Sequence, residues 1–149
     1  MKKRKFACIP AIFIMIAIFY FSAQHAEQST QSSDYVVNQF YEWNAVFEKV
    51  SFHTLTFIVR KLAHTLEYAI LGISIAYYVK QFQLSRKKIL LYSIMFSCLY
   101  AISDELHQYF VPGRSCELRD VLIDTNGAFL GISCYLLLLR YWKRKSDSK

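Results

Sequence analysis

Four apolar stretches, each about long enough to cross a lipid bilayer, constrain this chain more than any other feature of its sequence. They cover residues 6–23, 60–79, 89–110 and 121–142. A helix needs about 20 mainly apolar residues to cross the hydrocarbon core. A soluble domain of 149 residues that is 54% hydrophobic could not bury that much apolar surface in one core. The stretches therefore predict an all-α polytopic membrane protein with four transmembrane helices, forming a single domain over residues 1–149.

The first stretch follows a basic start at residues 2–5, which is also how a secretory signal peptide begins. Its apolar run is long for a signal peptide, and Phe21 puts a bulky ring where the cleavage site needs a small residue. These two features favour an uncleaved anchor helix, with a cleaved signal peptide as the alternative.

Between the first two stretches, the sequence predicts an amphipathic helix over about residues 34–50. Its apolar residues are spaced by four, three, four and three, which places them on one helical face. They are Val36, Phe40, Trp43, Phe47 and Val50. An aromatic face of this kind suits a helix at the membrane surface. The alternative is a helix that packs on the outer end of the bundle.

The distribution of charge predicts the orientation in the membrane. In a four-span arrangement, 13 of the 18 Lys and Arg residues lie on one side, and 10 of the 11 acidic residues lie on the other. Because cytoplasmic loops carry an excess of Lys and Arg, both termini are expected in the cytoplasm. The net charge of +7 is thereby read as a membrane signature, and no nucleic-acid partner is expected.

Polar residues collect on one face of each of the last three apolar helices. At 100° per residue, one group on the second helix falls within an arc of about 120°. That group is Arg60, Lys61, His64, Glu67 and Tyr68. The stripe on the third helix is Ser97, Tyr100, Asp104, His107 and Gln108, with Glu105 to one side. The face of the fourth helix is Asp120, Asp124, Gly127 and Gly131, where the two glycines allow close helix approach.

Ionisable groups at membrane depth cost about 2.5–3.5 kcal/mol each on insertion scales, so they usually face the bundle interior and find partners. The polar residues of all three stripes can find partners only if the stripes of the three helices face one another. The sequence therefore predicts a polar pocket open to the outside and bounded by the loop at residues 111–115.

Several of these residues also have structural interpretations. Arg60 and Arg119 fit the role of snorkelling anchors better than a role in a site. Asp120 precedes the fourth helix and fits an N-cap as well as it fits a site. Two histidines, each with an acid on the same helix face, favour a functional role over a structural one.

Long segments of the chain resemble the VanZ-like family of bacterial membrane proteins. The matching segments are Phe21-Ser22-Ala23-Gln24, the run from Arg60 to Tyr68, the run from Ser103 to Ser115, and the run from Arg119 to Gly127. The resemblance implies a location in the bacterial plasma membrane. The family takes its name from a protein linked to glycopeptide (teicoplanin) resistance, so a role in tolerance of such antibiotics is expected.

The first functional hypothesis is recognition or processing of a cell-envelope molecule, with membrane lipids, a lipid-linked cell-wall molecule or a lipoglycopeptide as partners. Arg and Lys side chains would hold phosphate or carboxylate groups, and a histidine would move protons. The residues expected to take part in chemistry are His64, Glu67, Asp104, Glu105, His107 and Asp124. The residues expected to bind the substrate are Lys61, Tyr68, Gln108, Arg114 and Asp120, with Arg119 as a further candidate.

Two other hypotheses remain open at this stage. His64 with Glu67, and Asp104 with His107, are i, i+3 pairs of a kind that binds metals in helix bundles, although neither an HEXXH nor a CxxC motif is present. Alternatively, the protein is a scaffold or accessory subunit without catalysis, and its polar residues tie the helices together. No cofactor is indicated, and whether the protein is an enzyme stays open.

Overall fold

The structure is a computed structural model that describes residues 6–43 and 50–147. Within these two ranges the chain forms helices and no strands. The helices are α1 (Ile9–Ser22), α2 (Ala26–Trp43), α3 (Phe52–Lys80), α4 (Arg86–Gln108) and α5 (Leu118–Asp147). The all-α prediction is confirmed for this part of the chain.

Helices α3, α4 and α5 are each long and apolar enough to cross a membrane. Their 29, 23 and 30 residues correspond to about 44, 35 and 45 Å at 1.5 Å per residue. Each helix exposes large apolar side chains on its outside, such as Leu62, Leu99 and Leu130, which are more than half exposed. Such surfaces are stable in lipid, so the chain is a polytopic membrane protein.

Helix α1 is shorter than the predicted span over residues 6–23. Its 14 residues reach about 21 Å, less than the roughly 30 Å of the hydrocarbon core. Its axis and that of α2 meet at 104° across a break of a few residues, and the two helices qualify as a span only when taken together. The chain therefore has three candidate spans, or four if this bent pair counts as one.

Helix α1 is nevertheless an integrated part of the bundle. Ile18 is buried, and the Tyr100 hydroxyl of α4 donates a 2.6 Å hydrogen bond to the Met15 carbonyl oxygen. These contacts attach α1 to the bundle, and its retention as an uncleaved anchor stays a prediction.

Helix α2 begins eight residues before the amphipathic helix predicted over residues 34–50, of which residues 44–49 lie outside the described ranges. It packs on α3, where the Thr56 hydroxyl donates a 2.6 Å hydrogen bond to Asp34. Val37 is the buried apolar residue, whereas Val36 and Trp43 of the predicted apolar face are exposed. Packing against the bundle agrees with the second alternative, and a position at the membrane surface stays a prediction.

Helices α3 and α5 extend beyond the predicted apolar runs at both ends, whereas α4 begins three residues before its run and ends two residues short of it. Helix α3 starts eight residues before Arg60, and α5 continues to Asp147 in the basic tail, because backbone hydrogen bonding continues where hydropathy falls. Arg144 lies in the last turn of α5, where a positive charge complements the helix dipole. Apolar runs therefore marked the membrane-spanning parts of these helices but not their ends.

Helices α3 and α5 form the most extensive helix pair, and glycines bring them together. A Cβ atom added at Gly127 would lie 2.5 Å from the Thr65 carbonyl oxygen, and one at Gly131 would collide with the Ala69 backbone. The predicted close approach at these two glycines is therefore present. This approach sets the distance between the polar faces of α3 and α5, which lie one to two helical turns from the glycines.

Candidate functional site

Buried polar residues gather where α1 and α4 end and α3 and α5 begin, a region named here the polar end of the bundle. Five side chains there are at most 5% exposed: Ser22, Asp104, Glu105, Gln108 and Asp124. Asp104 and Gln108 share one face of α4 because they are one turn apart. The apolar residues on the outer faces of α3, α4 and α5 direct these polar faces inward.

One part of the polar end is a hydrogen-bonded group of Ser22, Asp104, Gln108 and Arg114, named here the Asp104 network. Asp104 Oδ2 accepts hydrogen bonds from the Ser22 hydroxyl at 2.9 Å and from Gln108 Nε2 at 3.0 Å. Arg114 donates to Gln108 Oε1 at 3.0 Å. The network joins residues from α1, α4 and the α4–α5 loop.

Arg114 also donates to the carbonyl oxygens of Gln24 at 3.1 Å and Phe21 at 3.4 Å. Carbonyls at a helix C-terminus lack partners within the helix, so the guanidinium group closes the end of α1. Burial lowers the pKa of Arg114, and nearby Arg60 lowers it further, while Asp104 and Glu105 act in the opposite direction. Arginine nevertheless stays protonated at neutral pH.

Beside the network lies an open cavity of about 90 Å³, named here the Lys61 cavity. Lys61 Nζ contacts Asp120 Oδ2 at 2.5 Å, and both side chains are largely buried. The other Asp120 oxygen is buried and has no hydrogen-bond partner in the part of the chain that the structure describes. The cavity is lined by Ala26, Phe57, Arg60, Lys61, His64, Gln108, Gly113, Arg114, Ser115, Glu117 and Asp120.

The Lys61 cavity is adjoined by a recess of about 10 Å³, room for about one water molecule. Two buried acids line this recess, Glu105 from α4 and Asp124 from α5. Glu105 Oε2 accepts a 2.9 Å hydrogen bond from the Glu117 backbone amide. The recess therefore places two carboxyl groups next to Lys61 and His64.

A second cavity, of about 140 Å³, lies between α2 and α3 and is named here the α2 cavity. It shares three residues with the Lys61 cavity: Arg60, His64 and Arg114. Its remaining lining residues are Phe21, Gln24, Ser29, Ser32, Ser33, Ala63 and Glu67.

His64 lies at the boundary between the two cavities. Its Nδ1 atom is 3.7 Å from Glu67 Oε2, too far for a hydrogen bond, and is buried without a hydrogen-bond partner among the described residues. The imidazole lines both cavities and is therefore next to any ligand bound in either of them.

The structure brings most of the predicted site residues together around these spaces. Lys61, His64, Gln108, Arg114 and Asp120 line the Lys61 cavity, Glu105 and Asp124 line its recess, and Glu67 lines the α2 cavity.

Three predicted residues line none of these spaces. Asp104 belongs to the network, and Tyr68 is fully buried 6.2 Å from the Tyr100 ring. His107 stacks on Phe19 with ring centroids 4.3 Å apart. Their positions in this structure are those of packing and network residues.

The structure adds residues that the sequence interpretation left out of the site. Arg60 lines both cavities, whereas the sequence favoured an anchor role for it. Its spacing of four from His64 and seven from Glu67 was a signal for a shared helix face. Nothing in the sequence indicated Ser29 of α2, because its contribution depends on the bend after α1.

Arg119, the further candidate for substrate binding, is 62% exposed and pairs with Glu117 at 2.7 Å, outside the cavities.

The i, i+3 pairs do not assemble into a larger metal-binding group. Across residues 6–43 and 50–147, no three His, Cys, Asp or Glu side chains are close enough to hold a metal ion. What the polar end offers is a pair of adjoining cavities with cationic, imidazole and carboxylate groups.

Comparison with known proteins gives a family assignment. The family described as VanZ/LLP1 matches residues 7–139, which include α1 to α4, most of α5 and the whole polar end. No curated protein and no solved structure matches the chain. Because the match covers most of the 149 residues, the chain belongs to the VanZ/LLP1 family.

Proposed function

We propose that the polar end binds, and takes part in processing, the anionic head group of a cell-envelope lipid or lipid-linked glycan, and that the protein thereby contributes to tolerance of teicoplanin-type glycopeptides. The observation that carries this proposal is the Lys61 cavity, a polar space with three cationic residues within an otherwise lipid-compatible bundle.

The surroundings of the cavity suit a lipid ligand. On the outer face of α3, Ile58 and Leu62 flank Lys61 and are about half exposed. A lipid could keep its acyl chains against such a surface while its head group enters between the helices. Arginine and lysine bind phosphate strongly in sites with little water.

A processing role would use His64. In this proposal its imidazole moves a proton to or from the bound head group, and the carboxyl groups of Glu105 and Asp124 lie in the adjoining recess. A His64→Gln protein that binds ligand but no longer converts it would support processing. Unchanged conversion would restrict the role of the site to binding.

The proposal places the polar end at the outer face of the bacterial plasma membrane. Cys116 is exposed in the loop before α5 and provides a direct test. A membrane-impermeant maleimide should label it in intact cells, and Cys116→Ser should remove that signal. Labelling that requires permeabilised cells would place the polar end in the cytoplasm and contradict the proposal.

A scaffold without ligand is the second candidate function, and the Asp104 network favours it. Its hydrogen bonds join segments more than 80 residues apart and need no ligand to explain them. This candidate explains the network, but it does not explain a cavity lined by three cationic residues.

The deciding experiment compares teicoplanin tolerance in cells that contain the wild type, Lys61→Met or Arg86→Gln at equal membrane levels. Arg86 begins α4 at the opposite end of the bundle, so its variant is a matched loss of one positive charge. Lys61→Met should lower tolerance and Arg86→Gln should not. Equal tolerance in all three strains would remove the link between the cavity and the antibiotic.

A further inference from the structure

The two cavities of the polar end meet at Arg60, His64 and Arg114. From this arrangement we infer that Arg60 holds the anionic group of the ligand and that the α2 cavity takes a hydroxyl-bearing part of the same head group. The ligand class is then a phosphodiester of a polyol or sugar on a lipid. This inference rests on the proposed function and specifies its substrate class.

The three cations near the Lys61 cavity differ in how far the protein already uses them. Lys61 is in contact with Asp120, and Arg114 donates three hydrogen bonds to Phe21, Gln24 and Gln108. Arg60 makes no hydrogen bond or ion pair with any residue in the ranges 6–43 and 50–147. Its positive charge is therefore available to a ligand.

Arg60 also has the right position and shape for an anion. Its side chain is partly buried and lines both spaces, so a phosphate beside it would be in reach of either cavity. The planar guanidinium group donates two parallel hydrogen bonds to phosphate oxygens. His64, one turn along the same face, also lines both cavities and so lies beside the same anion.

The lining of the α2 cavity fits hydroxyl groups better than a second anion. The Ser32 and Ser33 hydroxyls donate to carbonyl oxygens of their own helix, which leaves their oxygen lone pairs as acceptors. The Glu67 carboxyl group is a further acceptor in this cavity. Gln24 supplies an amide that both donates and accepts. Polyol and sugar hydroxyls, which donate and accept, match this set.

The experiment uses the full chain in detergent micelles and native mass spectrometry with three lipids of identical acyl chains. Phosphatidylglycerol carries one negative charge and two free hydroxyls, phosphatidylethanol carries the same charge without hydroxyls, and phosphatidylcholine has no net charge. We expect phosphatidylglycerol to bind about three- to tenfold more tightly than phosphatidylethanol, and phosphatidylcholine to bind weakest.

Two sets of variants, one at Arg60 and one in α2, separate the parts of the inference. Arg60→Gln should weaken binding of both anionic lipids by roughly tenfold, Arg60→Lys should weaken it less, and the control Arg86→Gln should change nothing. Ser29→Leu, which fills the α2 cavity, should remove the preference for phosphatidylglycerol over phosphatidylethanol. Gln31→Leu, on the exposed side of α2, should preserve that preference.

Each failure has a different meaning. Unchanged binding in Arg60→Gln would overturn the assignment of Arg60, and no preference for phosphatidylglycerol in the wild type would overturn the hydroxyl subsite. Binding of phosphatidylcholine as tight as that of both anionic lipids would overturn the proposed function itself. Displacement of phosphatidylglycerol by an equal concentration of soluble glycerol phosphate would show that the lipid tail is not needed, which contradicts a lipid ligand.

Discussion

The Asp104 network and the Lys61 cavity lie side by side at the polar end, but they use their polar groups differently. In the network, one carboxylate oxygen accepts two hydrogen bonds, and Arg114 donates three. Around the cavity, the Lys61–Asp120 ion pair lies beside Arg60 and His64. The hydrogen bonds of the network hold α1 and the loop onto α4, whereas Arg60 has no hydrogen bond or ion pair among the described residues and is available to a ligand.

This comparison separates stability from ligand binding within one cluster of similar residues. Changes in the network should lower the free energy of unfolding, and changes at the cavity should lower binding or tolerance with little effect on unfolding. Four substitutions test it, in order of their expected effect on stability.

Gly127→Val should have the largest effect, because it affects both regions. Its Cβ atom would come within 2.5 Å of the Thr65 carbonyl oxygen and push α3 away from α5. We expect a loss of about 1–3 kcal/mol in the free energy of unfolding, measured by SDS titration of the protein in micelles, together with loss of ligand binding. Asn126→Ala, at an exposed neighbour whose side chain donates to the Leu122 carbonyl oxygen, is the control. A stable Gly127→Val protein that still binds lipid would contradict the close packing of the two helices.

Asp104→Ala should destabilise the protein by about 1–3 kcal/mol, because it leaves the buried Ser22 and Gln108 side chains without their acceptor. The same titration measures this change. Because α1 would lose its hydrogen bond from Ser22 to α4, proteolysis should also cut near residues 23–25 more rapidly. If Asp104→Ala instead left stability intact and removed tolerance, Asp104 would belong to the site and the division between the regions would fail.

Lys61→Met combined with Asp120→Leu should change the free energy of unfolding by less than about 1 kcal/mol, since replacing both members of a largely buried ion pair by apolar residues is often neutral. Lipid binding should fall at the same time, measured by native mass spectrometry. Lys61→Met alone should cost more stability, because it leaves the Asp120 carboxylate largely buried without its partner. A larger loss of stability in the double variant than in Asp104→Ala would reverse the proposed roles of the two regions.

His64→Gln should have the smallest effect on stability, within about 0.5 kcal/mol of the wild type, since the imidazole makes no hydrogen bond to lose among the described residues. His107→Gln is the matched histidine control, and it should be the more destabilising of the two because it loses the stacking contact with Phe19. The measurement is thermal unfolding in micelles. A His64→Gln protein less stable than His107→Gln would show that His64 is a packing residue.

Much of the fold could be predicted because hydropathy and helical periodicity are local properties of the chain. Runs of apolar residues indicated α3, α4 and α5, and the spacing of four between Asp104 and Gln108, or Asp120 and Asp124, indicated which polar residues share a face. The glycines at 127 and 131 indicated where α5 is approached closely. The helix ends and the length of α1 were predicted less well, because the end of an apolar run is not a helix end.

The sequence by itself determined that this chain forms apolar helices and that the polar faces of three of them must be sheltered from lipid. Only the tertiary structure decided which polar groups bond to each other and which stay available. Asp104 accepts a hydrogen bond from Ser22, 82 residues away, and Lys61 forms an ion pair with Asp120. Arg60 lines two cavities. The physical reason is that a polar stripe restricts only the rotation of its own helix about its axis. Which polar groups bond to each other depends on the approach of α3 to α5 and on the 104° bend that brings α2 against α3.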